Sequence, residues 1–343
     1  MHYKLIPQPQ NGAYSFFMLV IFLACTIYCT ANAAEIDSVT SREVDLDNSR
    51  DLINAIFNNR IQEGITRANE RAGNMEDDGT VFCDEELLYT ELRKAIFQSY
   101  TASWGLKGFS LDKELRILLA KQSYSLSLND SIYRDIDYLE GFSLNIKELS
   151  DVIRLDNQLI GLDKIGHFFA EGWQYFEQTL YEEQSLEAAL KWGKEQEVGK
   201  FGYTTTGIFS FSDLTANFNG WRFWNKVLLN ESDPINSSFS NFFNQPYVDC
   251  KVQLVTSTKL NKVVKAWELN RQFDISDYVD GAWDEGNNCN SYADPMIEEK
   301  IRIRTKNIYP DFVCPVTPGQ CSDAQDRYGS YAKYILHPYC LTQ

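Results

Sequence analysis

Histidine is scarce in this chain, so any imidazole chemistry must come from very few positions. Of the three histidines, His2 lies at the extreme N-terminus and His337 lies in a C-terminal HPYC run that indicates a surface or disulfide-adjacent role. His167 follows Asp163 by four residues and precedes Glu171 by four, so the three side chains share one stripe of a helix. A carboxylate one turn before an imidazole fixes its tautomer and raises its basicity, as a general base or a metal ligand requires.

A second predicted helix carries a matching polar pair. Asp213 and Asn217 are again four residues apart, and Ala216 with Gly220 gives the same helix a small-residue face that lets another helix approach closely. If the two helices pack together, both polar pairs converge on one pocket. Such ligands suit a divalent metal such as Mg, Mn or Zn, or a carboxylate–imidazole acid/base pair, and the sequence does not name the cofactor. The candidate catalytic residues are therefore His167, Asp163, Asp213 and Asn217.

A purely structural role accounts for the same residues. Asp163 is well placed to cap its helix, and Ser210 with Asp213 fits the capping box that begins many helices. Asn217 and His167 would then form a buried hydrogen-bonded pair that fixes how the two helices align. The spacing alone favours this structural role over a catalytic one, because polar clusters serve both purposes.

These positions also carry a family resemblance. The run D-K-x-x-H-F at 163–168 and the run D-x-x-A-N-x-x-G at 213–220 resemble the paired motifs of VanZ-like proteins and related small bacterial envelope lipoproteins. The resemblance implies an envelope location and two helices that pair through the motifs, and some members are linked to glycopeptide tolerance. VanZ-like members are often embedded in the membrane, whereas the helices here carry charged residues such as Glu177, Arg222 and Lys226. A soluble or peripheral version is therefore expected.

Helical spacing of apolar residues dominates the first two thirds of the chain. Nine helices are expected, at 51–68, 85–102, 111–124, 146–155, 163–181, 186–197, 212–229, 262–269 and 325–334. The fold class is therefore mostly α, an irregular multi-helix bundle. Residues 34–229 form the helical body that carries the motif helices, and residues 230–343 form a loop-rich C-terminal subdomain or wrap.

The N-terminus has the pattern of a targeting segment. Residues 13–29 are almost entirely apolar, and Ala31 with Ala33 forms an A-x-A cleavage site, so residues 1–33 are predicted to be a cleaved signal peptide. An uncleaved membrane anchor is the alternative. A lipoprotein with Cys25 as the lipidated residue is disfavoured, because the residues before Cys25 match the lipobox motif poorly. The mature protein is expected to be exported, periplasmic or extracellular, with no stable transmembrane span.

Six cysteines remain after that cleavage, which suggests up to three disulfides in an exported chain. The sequence does not choose among the pairings. Four of the six lie between Cys289 and Cys340, so disulfides are expected to staple the loop-rich tail. A structural zinc site is disfavoured because the mature chain has no C-x-x-C pair.

The acidic net charge of the chain excludes some classes of binding partner. The formal net charge of -16 repels phosphate backbones, so a nucleic-acid binder is excluded, and docking of aromatic-rich helices on a membrane surface is disfavoured. The run 280–288 is acidic but fails the EF-hand pattern, which favours a solvated acidic loop.

Two functional hypotheses follow. The first is an exported cell-envelope protein with a binding or scaffolding role, in which the two-helix polar motif holds the fold together. The alternative is a hydrolase, metal-dependent in one version, that acts on an envelope lipid or a cell-wall component. The serine-hydrolase elbow, the H-E-x-x-H zinc helix and the dinucleotide fingerprint are absent from the sequence, which disfavours those enzyme classes.

Overall fold

The computed structural model describes residues 35–75, 83–97, 110–142, 144, 148–256 and 261–342. The predicted signal peptide, residues 1–33, lies outside the described residues. The fold is mostly helical, as the sequence predicts. Its helices are α1 (Arg50–Met75), α2 (Glu85–Ile96), α3 (Ser110–Leu118), α4 (Asp163–Gly166), α5 (Gly172–Leu180), α6 (Leu186–Gln196), α7 (Phe211–Leu228), α8 (Ser238–Phe242), α9 (Pro295–Ile308), α10 (Pro318–Tyr328) and α11 (Ala332–Ile335).

Small antiparallel sheets complete the fold. Their strands are β1 (Ser123–Tyr124), β2 (Val152–Leu155), β3 (Gln158–Gly161), β4 (Ile208–Phe209), β5 (Val248–Thr256), β6 (Asn261–Leu269) and β7 (Ser291–Tyr292). The first sheet has the order β1-β2-β3, β4 pairs with β7, and β5 pairs with β6 from Val248 opposite Leu269 to Thr256 opposite Asn261.

Two predicted helices are wrong because strands take their place. The expected helix at 146–155 ends in β2, which turns back into β3 through Asp156 at a positive φ of 52°. Asp tolerates that left-handed conformation, so the hairpin forms where the apolar spacing alone indicated a helix. The expected helix at 262–269 is strand β6, whose backbone pairs with β5 along its whole length. Two valines follow Lys262 in this run, and valine favours strands.

Other boundaries shift by less. The expected helix at 111–124 ends at Leu118, and its last two residues belong to β1. Helix α1 continues past the predicted end to Met75, and α2 ends at Ile96. Residues 98–102, the rest of the expected second helix, lie outside the described residues. The expected helix at 325–334 is divided between α10, a short 3-10 turn and α11.

Helix α7 is the centre of the core and is buried along almost its whole length. It crosses α5 so closely that a Cβ on Gly220 would overlap the carbonyl oxygen of Phe168 and lie 2.9 Å from the Cα of Gly172. Aromatic side chains from both halves of the chain, such as Phe57 and Trp283, pack in the same buried cluster as Phe168. The small-residue contact therefore sets the distance between the two motif helices.

Disulfides close the structure at three places, and two of them staple the C-terminal region as the sequence predicts. The bridges join Cys83 with Cys250, Cys289 with Cys314, and Cys321 with Cys340. Among the residues that the structure describes, no helix is both long enough and apolar enough to cross a membrane.

Candidate functional site

The two motif helices bring all four candidate residues into one buried cluster. Nδ1 of His167 lies 3.1 Å from Oδ1 of Asn217, and Nε2 of His167 lies 3.2 Å from Oδ2 of Asp213. Asp163 joins them through Lys164, which contacts both aspartates. His167 is only 3% exposed, so the cluster lies within the protein and not on its surface.

Lys164 is the electrostatic centre of this cluster. Its Nζ lies 2.8 Å from Asp163 Oδ2, 2.6 Å from Asp213 Oδ1 and 2.7 Å from Glu285 Oε1. The side chain is completely buried, so its charge depends on these three carboxylates and not on water. Burial lowers the pKa of the Lys164 ammonium, but the three carboxylates outweigh that effect and hold the pKa well above its usual value. Lys164 is therefore a permanent cation.

Glu285 belongs to the acidic run 280–288, where the prediction of a solvated loop is wrong. Glu285 is buried and also accepts hydrogen bonds from Ser210 Oγ at 3.2 Å and Asn290 Nδ2 at 2.7 Å. Asp284 is buried as well and pairs with Arg42. The loop folds inward because Lys164 and Arg42 supply the cations that its carboxylates need in a low-dielectric interior.

A helical irregularity positions the imidazole. The chain continues from α4 into α5 through a π-helical turn, His167–Glu171, a feature that is frequent at functional sites. Oε2 of Glu171 lies 2.9 Å from Nδ1 of His167, and Asn217 Nδ2 donates to the same carboxylate at 3.2 Å. Burial lowers the pKa of His167, but the carboxylates of Asp213 and Glu171 hold it well above its usual value. The imidazole is thus held between two acids on opposite ring nitrogens.

More carboxyl groups surround the cluster than its two cations can neutralise. Glu197, at the start of a second π-helical turn, and Glu35 are both buried, and Thr206 Oγ1 donates to Glu35 Oε1 at 2.7 Å. Burial raises the pKa of both glutamic acids well above the usual value, and the negative charge of Asp213 adds to the effect. Asp112 approaches from α3, and burial together with Asp163 raises its pKa to about 7.

Two buried ligand atoms in this cluster lack hydrogen-bond partners among the described residues, namely Asp163 Oδ1 and His167 Nε2. One ligand atom from each of Asp163, His167 and Asp213 lies within 4.8 Å of the others. Zinc bonds of about 2.0–2.2 Å in tetrahedral geometry place two ligand atoms about 3.3 Å apart. The 3.2 Å separation of His167 Nε2 and Asp213 Oδ2 matches that spacing without forming a hydrogen bond.

The structural alternative holds in part. Asp163 does not cap its helix, because the position before α4 is Leu162 and the Asp163 carboxylate turns to Lys164 instead. The serine half of the capping box is present, since Ser210 Oγ accepts from the Asp213 amide at 3.3 Å, while the Asp213 carboxylate accepts from the Ser210 hydroxyl. Asn217 and His167 do pair. Capping therefore explains the backbone contact of Asp213 but not the lysine-bound carboxylate oxygen.

Sequence reasoning missed Lys164, Asp112 and the three glutamates at 35, 197 and 285 as parts of the cluster. Lys164 had a signal, because it is the second letter of the D-K-x-x-H-F run. The glutamates had none, since each comes from a different segment far along the chain. In comparisons with known proteins, no family model, curated protein or solved structure matches this chain.

Proposed function

We propose that this chain is an exported cell-envelope protein that binds one divalent metal ion through Asp163, His167 and Asp213. The observation that carries the proposal is the pair of buried ligand atoms without hydrogen bonds, Asp163 Oδ1 and His167 Nε2, beside an aspartate oxygen at ligand spacing. Buried polar atoms cost free energy unless they are partnered, and a metal ion that replaces the Nε2 proton of His167 would partner all of them at once.

Charge balance supports a cation at this position. Carboxyl groups outnumber cations in the cluster, and Lys164 uses only one oxygen of each aspartate. An imidazole nitrogen with carboxylate oxygens suits Zn²⁺ or Mn²⁺ better than Mg²⁺, which prefers oxygen ligands alone. The carboxyl group of Glu171 holds the other ring nitrogen of His167, an arrangement that is usual behind metal-bound histidines.

Export and the envelope location are supported by the A-x-A site, the disulfide-bonded cysteines and the motif resemblance to VanZ-like proteins. Disulfides persist in oxidising compartments and are rare in the cytosol of mesophiles. The two runs that carry the resemblance also supply all three proposed metal ligands. On this proposal the motifs are a metal-binding signature of the soluble form.

Metal analysis of the purified mature chain tests the proposal. After dialysis against Zn²⁺ or Mn²⁺, elemental analysis should find about one ion per chain in the wild type. Both His167→Gln and Asp213→Asn should lose it, while His337→Gln, at the other histidine outside the targeting segment, should keep it. A folded wild type that retains no ion overturns the proposal. If His167→Gln then strongly lowers the melting temperature, the cluster is a structural polar network.

A hydrolytic activity is the second candidate, and it is favoured by two acidic side chains beside the proposed metal ligands, Glu285 through the shared Lys164 and Asp112 on α3. Burial, opposed by Lys164, raises the pKa of Glu285 to about 7, and that of Asp112 is also about 7. Such groups exchange protons at neutral pH, as a general acid or base beside a metal-bound water must. We propose an envelope lipid or a cell-wall component as the substrate class.

Turnover assays with phospholipid vesicles and peptidoglycan fragments test this second candidate. The metal-loaded wild type should turn over one of the two substrates, and Asp112→Asn should lose that turnover while it retains the metal. Equal turnover by Asp112→Asn and the wild type would remove this role for Asp112.

A further inference from the structure

Three phenylalanine rings stand exposed at one position on the surface. Phe239, Phe242 and Phe243, at and after the short helix α8, are 76%, 81% and 60% exposed. Their rings contact one another, with Phe239 and Phe243 centroids 5.0 Å apart and Phe242 and Phe243 centroids 5.1 Å apart. We call these three residues the phenylalanine tip. Together they expose an apolar area of about 400 Å², which is within the size range of the largest apolar patch on a typical monomer, a patch that is often functional.

The tip is built on a fixed support. Asn241 accepts from the Asp233 amide at 3.1 Å and donates to the Asp233 carbonyl at 2.9 Å, which ties α8 to the preceding segment. The Asp233 carboxylate in turn forms a buried bidentate pair with Arg222 of core helix α7, at 2.7 Å for the shorter contact. Ser237 caps α8 by accepting from the Ser240 amide. The backbone that carries the rings is therefore tied to the core, so little backbone ordering remains to oppose binding.

The charge around the tip differs from that of the whole chain. Residues 234–248 contain no Asp, Glu, Lys or Arg, although the chain as a whole has a formal net charge of -16. The exposed residues next to the rings in the sequence are uncharged and polar, such as Asn236, Ser238 and Gln245. A zwitterionic lipid interface binds exposed apolar rings through the apolar area that they bury and needs no charged group beside them, whereas an anionic surface would need basic residues, which this segment lacks.

We infer that the phenylalanine tip inserts into the interface of a lipid bilayer and holds the mature protein on a membrane surface. The rings would enter the boundary between headgroups and acyl chains, and the asparagine and serine side chains would hydrogen-bond at headgroup level. The uncharged segment lets this side approach, while the acidic remainder of the surface is kept away from anionic lipids. This inference is independent of the metal site.

Flotation of the full mature chain with lipid vesicles tests the inference. The wild type should float with phosphatidylcholine vesicles equally well at low and high salt, because no charge attraction is involved. Its binding to phosphatidylglycerol vesicles should strengthen with salt, which screens the repulsion. The triple variant F239S/F242S/F243S should reduce partitioning by about tenfold or more. Leu139→Ser, at a side chain that is 96% exposed elsewhere, is the matched control and should bind as the wild type does.

Three results would overturn the inference. One is a wild type that stays unbound with phosphatidylcholine vesicles, and another is a triple variant that has unchanged circular dichroism and floats equally well. The third is a wild type whose light-scattering mass doubles with concentration and a triple variant that stays monomeric, since the tip would then join two copies of the chain.

Discussion

Replacing Lys164 with Met removes the permanent cation from three buried carboxylates at once. The Lys164 ammonium lies 2.6–2.8 Å from oxygens of Asp163, Asp213 and Glu285, and the thioether of methionine cannot form these ion pairs. Breaking a buried ion pair by deleting one partner costs about 3–5 kcal/mol, because the other charge stays buried without compensation. Protonation of a carboxylate limits that cost, since the group can become neutral instead.

The magnitude follows from how readily each carboxyl group takes up a proton. Burial already raises the pKa of Glu285 to about 7, so its neutralisation near pH 7 costs little. Asp213 keeps His167 as a cationic neighbour, and that contact helps to lower its pKa despite burial. Asp163 must then become neutral, which from an unfolded pKa near 4 costs about 4 kcal/mol at pH 7 and about 1.4 kcal/mol at pH 5. Burial already raises the pKa of Asp163 in the wild type, which therefore carries part of that cost. The variant should lose at most about 4 kcal/mol at pH 7 and much less at pH 5.

The sign of the pH effect is fixed by linkage. In Lys164→Met the folded state binds more protons than the unfolded state between pH 4 and pH 7, so its stability falls as pH rises. Urea denaturation followed by circular dichroism at pH 5 and pH 7, with a chelator present, measures the difference from the wild type. Lys191→Met, at an exposed lysine, is the control and should change stability by less than about 0.5 kcal/mol. A loss below about 1 kcal/mol at pH 7, or an equal loss at both pH values, refutes the reasoning.

Three further outcomes are expected. Gly220→Ala should lower the free energy of unfolding by about 3 kcal/mol in urea denaturation, because its Cβ would overlap the Phe168 backbone. The control Gly199→Ala has open space around it and should change stability by less than about 1 kcal/mol. Equal effects would contradict the close crossing of the two helices. Asp112→Asn should flatten the fall in stability of the metal-free protein between pH 4 and pH 7. The reason is that the folded pKa of Asp112, about 7, lies above the unfolded value, so stability is lost as pH rises toward the folded pKa. Parallel curves of stability against pH for the variant and the wild type would argue against this. Peptide mapping without reduction should recover the bridges Cys83–Cys250, Cys289–Cys314 and Cys321–Cys340, and any other pairing would contradict the fold.

The candidate site was predictable where its information is local. Four-residue spacing places Asp163 with His167, and Asp213 with Asn217, on single helix faces whatever the rest of the chain does. Gly220 added a reason for the two helices to meet, and the structure confirms that crossing. Predicting that both polar pairs converge therefore required only the helical periodicity and one small residue.

The rest of the cluster depends on contacts that span long stretches of chain. Glu285 meets Lys164 across 121 positions, and Glu35 meets Thr206 across 171. No local pattern distinguishes such a glutamate from a solvated one, because its burial is decided by the cation that it meets. The same reason explains the mistaken helix at 146–155, where the Asp156 turn and the pairing of β2 with β3 override a short apolar spacing.

Asp213 connects the two halves of the cluster. One of its oxygens binds Lys164 and the other lies 3.2 Å from His167 Nε2, while Asp163 also gives one oxygen to Lys164 and keeps the other without a hydrogen bond. Lysine and metal would therefore use different oxygens of Asp213 and would not compete for it. Lys164 orients the carboxylates from behind, as supporting groups do at metal sites. Replacing Lys164 should then weaken metal binding as well as folding. If the ammonium instead occupied the position of the metal ion, replacing Lys164 would make metal binding tighter.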